Sequence, residues 1–388
     1  MERNVYAIID GQAGSCGKGK VIGQFAIQEN VDVAISNCRP NAGHTFCHDG
    51  KKRVFRHIPV SSVNPNTKLF IGAGAQIDMD VLAQEYEENK DILEGREIIV
   101  HPMVPLIEER HREAEKKSLK SGSTFKGCGA CAAEKIMRDP NLKFFKEYKT
   151  IKVDYDYHKK LYEYVKSGKK ILLEGAQGCD LSLDQYKHYP HVTSRDVSVS
   201  EMLKDSKISP CRLKDVIMVI RPFPIRISNE IYDGSYIYSG QYGDKNIELS
   251  WEQINVGAHI RQYPTAVDED DIKEYLGESF DFTETTTVTQ KTRRVFDIDL
   301  NLLRENIENN ESPNFEIYLN FFEQLDDSNR NVSGIYTGCG DSICFDKYIR
   351  EYLTWLEDEL QVPITMLGTG PDLTHYIDRR PYLKSLKK

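Results

Sequence analysis

The chain has 388 residues with 39% hydrophobic and 29% charged side chains, and its formal net charge is −9. This length and apolar content allow a substantial buried core, whereas the acidic balance disfavours general binding to nucleic acid, which needs a basic face. The apolar runs are well short of the about 18 residues that span a bilayer, and the start Met1-Glu-Arg-Asn lacks an apolar signal segment, so we expect a cytoplasmic protein that binds neither membrane nor nucleic acid.

Nine cysteines are scattered along the chain, an odd number that does not suggest a disulfide framework. We therefore expect reduced thiols. Cys128 and Cys131 form a CxxC pair, but no second pair follows at zinc-site spacing, which favours two small residues of a glycine-rich loop over a metal site.

Short apolar runs alternate with helical patterns from end to end of the chain. Most runs are apolar on both faces, which is typical of strands in a buried, mostly parallel sheet. The predicted strands cover 5–9, 31–35, 68–71, 98–100, 171–173, 216–220, 317–319 and 364–367, and the predicted helices cover 21–28, 79–89, 106–117, 157–167 and 345–360. We expect an α/β fold in one domain over 1–388, with an inserted helical subdomain at about 79–165 and a less regular one at about 225–315.

A glycine-rich segment joins the first predicted strand to the first predicted helix. Glycines at 11, 14, 17 and 19 let backbone N–H groups turn inward, the helix N-terminus adds partial positive charge, and Lys18 supplies a cation. The segment fails the Walker pattern, because its glycine spacing is one residue too long and Gly19 stands where a Ser or Thr would bind magnesium. It predicts a phosphate cradle unlike that of a standard P-loop NTPase; a plain glycine turn is the alternative.

A second motif, Arg39 to Thr45, follows the strand predicted at 31–35. Loops at the carboxyl ends of parallel strands share one crevice, so His44 can face the ligand of the first loop. Its imidazole could protonate an oxygen that gains negative charge. The alternative is a structural hydrogen-bonding histidine.

A third motif, residues 174–178, ends another apolar strand and is followed by 189–196. Gln177 and Thr193 are uncharged hydrogen-bonding residues suited to a purine edge or a phosphate.

A fourth motif, residues 285–294, gathers hydroxyl groups and three cationic side chains. Because arginine pairs bidentately with carboxylates, this loop predicts a carboxylate site, with a solvated basic turn as the alternative.

These motifs together resemble the adenylosuccinate synthetase family over most of the chain. The family's opening loop usually reads Gly-Asp-Glu-Gly-Lys-Gly-Lys, which residues 14–20 match except at two positions. Further family motifs stand in the same order at 41–45, 57–59, 122–129, 174–178, 192–194, 289–294 and 368–372. The resemblance implies a P-loop-NTPase-like central sheet with inserted subdomains. It also implies a ligase that phosphorylates O6 of a 6-oxopurine nucleotide and then joins the amine of aspartate to C6.

The resemblance also implies the ligand sites. His44, Ser15, Lys18 and Gln177 would be catalytic. The nucleoside triphosphate would be bound by Gly14, Cys16, Gly17, Lys18, Gly19, Lys20, Thr45, Glu323, Gly368, Thr369, Gly370 and Pro371. The purine nucleotide would be bound by Ser15, Asn41, Thr124, Gln177, Thr193 and Arg138, the last lent across a homodimer interface. Aspartate would be bound by Thr289, Lys291 and Arg293, and Mg²⁺ by Ser15 and the Gly43 carbonyl.

Two departures from the family pattern fall in the opening loop. Ser15 replaces the catalytic Asp that deprotonates purine N1 and binds magnesium, and a hydroxyl cannot serve as that base. Cys16 replaces the usual Glu with a thiol that could titrate.

A third departure lies around residues 319–325, where the lysine-and-aspartate signature that reads guanine is missing, although Glu323 could substitute.

Ser15 matches one branch of the family, the phage-type 2-aminoadenylosuccinate synthetases, which condense dGMP with aspartate and can use ATP or dATP. Guanine carries an exocyclic amine at C2, beside N1, and a shorter side chain opens space for it. We therefore predict a guanine-type monophosphate as substrate. The alternatives are an adenylosuccinate synthetase that uses IMP with GTP, and a non-catalytic nucleotide sensor or repurposed effector.

Overall fold

The apolar runs predicted as strands form the middle of a 12-stranded sheet. The computed structural model describes residues 2–118, 123–232, 234–255, 281–285, 291–338 and 343–386. In spatial order the strands are β17 (Gly334–Ile335), β19 (Tyr376–Asp378), β18 (Ile364–Gly368), β16 (Asn314–Leu319), β10 (Leu213–Ile220), β1 (Val5–Asp10), β9 (Ile171–Glu174), β2 (Val33–Ser36), β5 (Lys68–Ile71), β6 (Ile98–Val100), β8 (Ile151–Val153) and β7 (Glu147–Tyr148). From β18 through β8 every neighbouring pair is parallel. The predicted mostly parallel sheet is confirmed.

Helices cover both faces of this sheet. They are α1 (Lys18–Gln28), α2 (Met79–Glu88), α3 (Lys90–Leu93), α4 (Glu109–Ser118), α5 (Cys128–Met137), α6 (Tyr157–Lys166), α7 (Val199–Ser206), α8 (Trp251–Asn255), α9 (Leu300–Glu308), α10 (Lys347–Leu360) and α11 (Arg380–Leu386). Side chains of β1 alternate between the two layers: Val5, Ala7 and Ile9 pack with α6, α7, α9 and α10, whereas Tyr6 and Ile8 pack with α1 and α2. Within the described ranges, no helix is both long and apolar enough to cross a membrane.

Local signals explain several helix boundaries. The Asp78 side chain caps α2 by accepting from the Asp80 and Val81 amides, and Asp346 caps α10 through the Ile349 amide at 2.7 Å. The helix predicted from 106 begins instead at Glu109, because Leu106 forms a bridge with Ile77.

Within the described part of the chain, three small sheets lie outside the large one. They are the hairpin β3 (His44–His48) and β4 (Lys51–Phe55), the hairpin β12 (Glu230–Tyr232) and β13 (Ser235–Ile237), and a sheet in the order β11 (Ile225–Arg226), β15 (Arg294–Phe296), β14 (Glu248–Leu249). The sequence motif that was expected to be a loop through Thr45 therefore ends in strand β3, so His44 stands at a strand start.

Candidate active site

The glycine-rich segment forms a tight loop between β1 and α1, as predicted. Gly14 and Gly17 have positive φ angles of 88° and 78°, which glycine adopts without strain. Ser15 has a φ of 58° and is exposed at the tip of the loop. A non-glycine residue in this conformation carries backbone strain, and here the strained backbone holds the Ser15 side chain at the exposed tip of the loop. At the start of α1 the Lys20 amide donates to the Gly17 carbonyl at 3.1 Å, which leaves the Lys18 and Gly19 amides as anion-binding donors.

Lys18 is held inside the loop by two contacts. Its ammonium lies 3.1 Å from an Asp10 carboxylate oxygen and donates to the Gln177 carbonyl at 2.7 Å, and the residue is only 5% exposed. Lys18 therefore joins the first sequence motif to the third.

Gly178, in the third motif, packs directly against the backbone of the first motif. A Cβ at this residue would lie 2.0 Å from the Gln12 carbonyl oxygen and 2.2 Å from the Gly14 nitrogen, so no larger residue fits. Two residues further on, the Asp180 amide donates to the Gln12 carbonyl at 3.2 Å. Gln177 precedes this contact with a φ of 65°, a second non-glycine residue in the left-handed region.

The Cys16 thiol is fully buried, in contrast to the titratable group that its sequence position suggested. Its single S–H can donate to an Asp10 oxygen or to the Gln12 side-chain oxygen, each of which lies 3.1 Å from the sulfur. Burial, then the Asp10 charge, raises the pKa of Cys16 well above its ordinary value. The thiol stays protonated at neutral pH and cannot replace the missing carboxylate as a base.

His44 packs directly against the phosphate loop. A Cβ on Gly19 would lie 2.7 Å from the His44 Cβ, so the glycine allows β3 to touch α1. The imidazole bonds to the Gly175 backbone, and burial, then the Lys18 charge, lowers the pKa of His44 to about 3. Its Nε2 atom is buried without a hydrogen-bond partner. This nitrogen can therefore take a hydrogen-bond partner from a bound ligand. The adjacent Gly43 and Thr45 are exposed.

Several residues predicted for the purine nucleotide come together. The Asn41 side chain donates to the Thr193 hydroxyl at 3.3 Å, and the Arg39 guanidinium donates to the Ser194 carbonyl at 3.2 Å. A Cβ on Gly129 would lie 3.4 Å from the Ser194 Cβ, which places the segment after the exposed Thr124 beside this group.

Arg138 lies apart from this cluster. It ends α5 with a φ of 58° and is exposed, next to Ile136 and Met137, which are 77% and 76% exposed. Within this chain the structure does not bring Arg138 to Asn41 or Thr193.

A second group of predicted residues surrounds Lys20. The buried Lys20 ammonium donates to the His375 carbonyl at 2.5 Å, and a Cβ on Gly368 would lie 3.0 Å from the same nitrogen. Burial lowers the pKa of Lys20 to about 7. The nearby Glu323 and Asp372 charges act in the opposite direction and raise this pKa, but burial has the larger effect. Burial raises the pKa of Glu323, whose Oε2 is buried without a hydrogen-bond partner.

The other residues of the 368–371 motif have roles within the chain. The Thr369 hydroxyl donates to the Val332 carbonyl at 2.5 Å, and the Pro371 carbonyl accepts from the Cys47 amide at 2.9 Å. Gly370 approaches Asn331, whose side-chain oxygen would lie 2.2 Å from a Cβ there.

The predicted carboxylate loop is described in part. Thr289 lies outside the described residues. Lys291 is exposed and pairs with Glu230 at 2.9 Å. Arg293 lies near Glu284 and Arg221, and burial lowers the pKa of Arg293.

Arg221 is a site residue that sequence reasoning missed. It is fully buried and donates to the Ser15 carbonyl at 3.2 Å, to the Gln324 side chain at 3.4 Å and to the Glu284 carboxylate. Its guanidinium also stacks over Phe321, 4.1 Å from the ring centroid. Arg221 thereby links the phosphate loop, the segment that carries Glu323 and the carboxylate loop. Its position one residue after the apolar strand β10 was the available signal.

Asn320 and Asp10 were missed in the same way, although both stand at strand ends. Asn320 follows β16 and donates to the Cys16 carbonyl at 2.9 Å. Its side chain lies where a Cβ on Gly17 or Gly368 would be, which explains both glycines. Among the described residues, no group of three His, Cys, Asp or Glu side chains could hold a metal ion by itself.

Comparison with known proteins gives consistent relatives. The sequence profile of the adenylosuccinate synthetase family matches residues 7–146 and 141–330. The adenylosuccinate synthetase of Thermococcus sibiricus is 30% identical over 384 residues, covering 97% of this chain and 98% of the relative. The N6-succino-2-amino-2'-deoxyadenylate synthase of Vibrio phage phiVC8 is 34% identical over 309 residues, covering 76% and 79%.

Two solved structures share the fold. The succinoaminodeoxyadenylate synthetase of cyanophage S-2L, bound to dGMP and to dATP as an energy donor, superposes with a TM-score of 0.76 at 26% identity and covers 100% of this chain and 99% of its own. The fully ligated adenylosuccinate synthetase of Plasmodium falciparum superposes with a TM-score of 0.70 at 18% identity, covering 97% and 100%.

Proposed function

The chain belongs to the adenylosuccinate synthetase family, and on that premise we propose that it condenses dGMP with aspartate to give 2-amino-deoxyadenylosuccinate. The general activity of the family is that of a carbon–nitrogen ligase, which joins aspartate to a purine nucleotide and consumes a nucleoside triphosphate. The sensor interpretation is set aside, because the named relatives are synthetases.

The observation that carries the choice of purine is Ser15. Its small side chain stands exposed at the strained tip of the phosphate loop, where the family pattern has an acid. The 2-amine of guanine, beside N1, needs space at this point that the longer acid would fill. Two relatives named for the 2-amino product or bound to dGMP support the proposal.

The reaction has two balanced steps. The terminal phosphoryl group of the triphosphate passes to purine O6, the N1 proton passes to solvent water, and the diphosphate leaves. The aspartate amine then attacks C6, and O6 leaves with the phosphate as inorganic phosphate, which carries away the proton that the amine loses. Lys18 and the amides at the start of α1 stabilise the transferring group, and His44 Nε2 donates to a phosphate or O6 oxygen once bound anions raise its proton affinity.

Magnesium fits the donor set of this site. The Ser15 hydroxyl and the Gly43 carbonyl are exposed hard oxygen donors beside the loop, and Mg²⁺ commonly takes most of its other ligands from water and substrate phosphates. When bound it neutralises phosphate charge. Because neither donor carries a charge, we propose that the ion enters with the triphosphate.

We propose an adenine nucleotide, ATP or dATP, as phosphate donor. The buried Glu323 carboxyl has a raised pKa and an unpaired Oε2. When it is protonated it offers one donor and one acceptor. Adenine presents the matching acceptor at N1 and donor at N6. Guanine presents two donors at N1 and N2, which suit an ionised carboxylate instead.

A substrate panel tests the proposal. Purified protein with Mg²⁺ and aspartate is incubated with dGMP, GMP, dIMP or IMP, each with ATP, dATP or GTP, and the succinylated product and inorganic phosphate are quantified. We expect the highest kcat/KM for dGMP with ATP or dATP. Conversion of IMP with GTP while dGMP stays untouched would instead establish the second candidate, favoured by the near-complete coverage of the Thermococcus relative.

Replacing Ser15 by Asp should reverse the purine preference. The longer, charged side chain occupies the space for the 2-amine, so we expect kcat/KM for dGMP to fall by about 10- to 100-fold while that for IMP rises. Ser15→Ala keeps the space and should retain the preference for dGMP, which makes it the matched control. Unchanged or faster dGMP turnover in Ser15→Asp would show that space at this residue does not select the purine.

We also propose a homodimer in which Arg138 reaches the monophosphate of the partner subunit. The exposed Arg138 lies beside the exposed apolar Ile136 and Met137, a surface that an identical subunit could cover. Light scattering should give twice the 44.5 kDa chain mass. Arg138→Ala should raise the KM for the purine monophosphate by about tenfold, the loss of one charge-assisted phosphate contact, with the KM for aspartate unchanged. A monomer, or an unchanged KM, would contradict this.

A further inference from the structure

Asp10 is the group around which the phosphate loop folds. It is the last residue of β1 and is 1% exposed. One carboxylate oxygen accepts from the Gln12 and Gly14 amides at 3.0 and 3.3 Å, and the other accepts from the Cys16 amide at 3.1 Å. The Cys16 thiol and the Lys18 ammonium complete its contacts, each at 3.1 Å.

All five of these donors come from residues 12–18, so the carboxylate sits inside the loop it organises. The amides of Gln12, Gly14 and Cys16 point inward to Asp10 and away from any phosphate. The Lys18 and Gly19 amides at the start of α1 and the Lys18 ammonium remain for the ligand. A buried carboxylate is stable only with such a donor set, and in turn it fixes the position of each donor.

Lys18 depends on Asp10 for its charge balance. The ammonium is buried between the Asp10 carboxylate and the Gln177 carbonyl, and the carboxylate is the only one of these two partners that carries charge. The neighbouring Cys16 is a neutral, protonated thiol whose sulfur lies 3.1 Å from Asp10. In the family pattern this loop carries acids at positions 15 and 16, where this chain has Ser15 and Cys16.

We propose that Asp10 is a positioning residue for phosphoryl transfer: it supplies from the end of β1 the carboxylate that holds the loop and aims Lys18, in place of an acid at position 16. This inference deepens the proposed function, since it concerns how the same site transfers the phosphoryl group. Asp10 touches no substrate itself. Its effect passes through Lys18 and the amide array.

A double-mutant cycle between positions 10 and 16 tests this assignment. Asp10→Asn keeps the side-chain shape but puts an amide donor toward the Lys18 ammonium or the Cys16 amide, so we expect kcat to fall by about 10- to 100-fold with the KM values for the purine monophosphate and aspartate changed by less than about threefold. Cys16→Glu alone crowds two carboxylates into one buried place and should also lower kcat by about tenfold or more.

The double variant Asp10→Asn/Cys16→Glu should regain kcat to within about fivefold of the wild type, because one carboxylate again faces Lys18 and the new amide can donate to it. A double variant no faster than the slower single variant would overturn the proposal, as would a wild-type kcat in Asp10→Asn. Should Asp10→Asn fail to fold, the double variant alone decides: a folded, active protein supports the assignment, and an unfolded or inactive one overturns it.

Asp215→Asn is the matched control. Asp215 lies on β10 and accepts from the Asn314 side chain at 2.6 Å, outside the site, so its kcat should stay at the wild-type value. The cycle uses whichever purine monophosphate the wild type converts. Failure of the dGMP proposal therefore shows in the wild-type panel, whereas failure of the Asp10 proposal shows only in the variants.

Discussion

Replacing His44 with Asn is expected to lower kcat by about 10²- to 10⁴-fold, the usual contribution of a positioned general acid. The ring lies against the phosphate loop, is fixed by the Gly175 backbone, and has a buried Nε2 without a partner. Asn cannot deliver a proton, but it is small enough for the buried position. Steady-state kinetics should therefore show a large loss in kcat with little change in the KM for the purine monophosphate.

His48→Asn provides the control for this variant. His48 stands at the other end of β3 and contacts Asp49 at 3.3 Å. It shares the hairpin with His44 but not the contact with Gly19. Wild-type kcat is expected for His48→Asn, and a similar kcat in His44→Asn would contradict the role in phosphoryl transfer.

The pH dependence follows from the direction of the His44 shift. In the ligand-free protein the pKa of His44 is lowered to about 3, so the ring is neutral throughout pH 5–8 and gains a proton only below that range. Because kcat/KM reports groups of the free enzyme, its pH profile should show no step from His44 near pH 6.5. A step at that pH that disappears in His44→Asn would show that the ring already titrates normally before ligands bind.

Lys18→Gln is expected to lower kcat by about 10²- to 10³-fold. This is the usual effect of removing a group that stabilises the charge developing in the transition state. The amide still donates to the Gln177 carbonyl or to Asp10, so the loop keeps part of its internal bonding, but the cation is lost. Lys204→Gln on α7, whose lysine pairs with Glu201 at the surface, should leave kcat unchanged. Equal rates for the two variants would remove Lys18 from the mechanism, and thermal melting should separate a loss of folding from a loss of chemistry.

The central sheet was predictable from sequence because its strands are apolar on both faces. β6 has this pattern over its full length and β5 has it after the exposed Lys68, and the predicted limits of both strands are confirmed. The hairpin of β3 and β4 was not predicted, since its strands carry charged and polar residues such as His48, Lys51 and Lys52. The two strands form a sheet because they pair with each other, and β3 also contacts α1.

The candidate site was predictable to the extent that it consists of strand-end motifs. Lys18, His44 and Gln177 gather because parallel strands bring their following loops to one edge. The state of Cys16 was not predictable, because its pKa depends on burial and on Asp10, six residues away in sequence. The same holds for Arg221, whose partners at Ser15 and Glu284 are distant along the chain.

The close packing of Gly178 on the Gln12 and Gly14 backbone leaves no room for the two motifs to move past each other. If the triphosphate binds the first loop and the monophosphate binds beside Gln177, as proposed, a shift that either nucleotide imposes on its own motif acts on the other motif through this contact. Thermodynamic linkage then requires one shared coupling factor: each nucleotide changes the dissociation constant of the other by the same ratio, whichever arrives first.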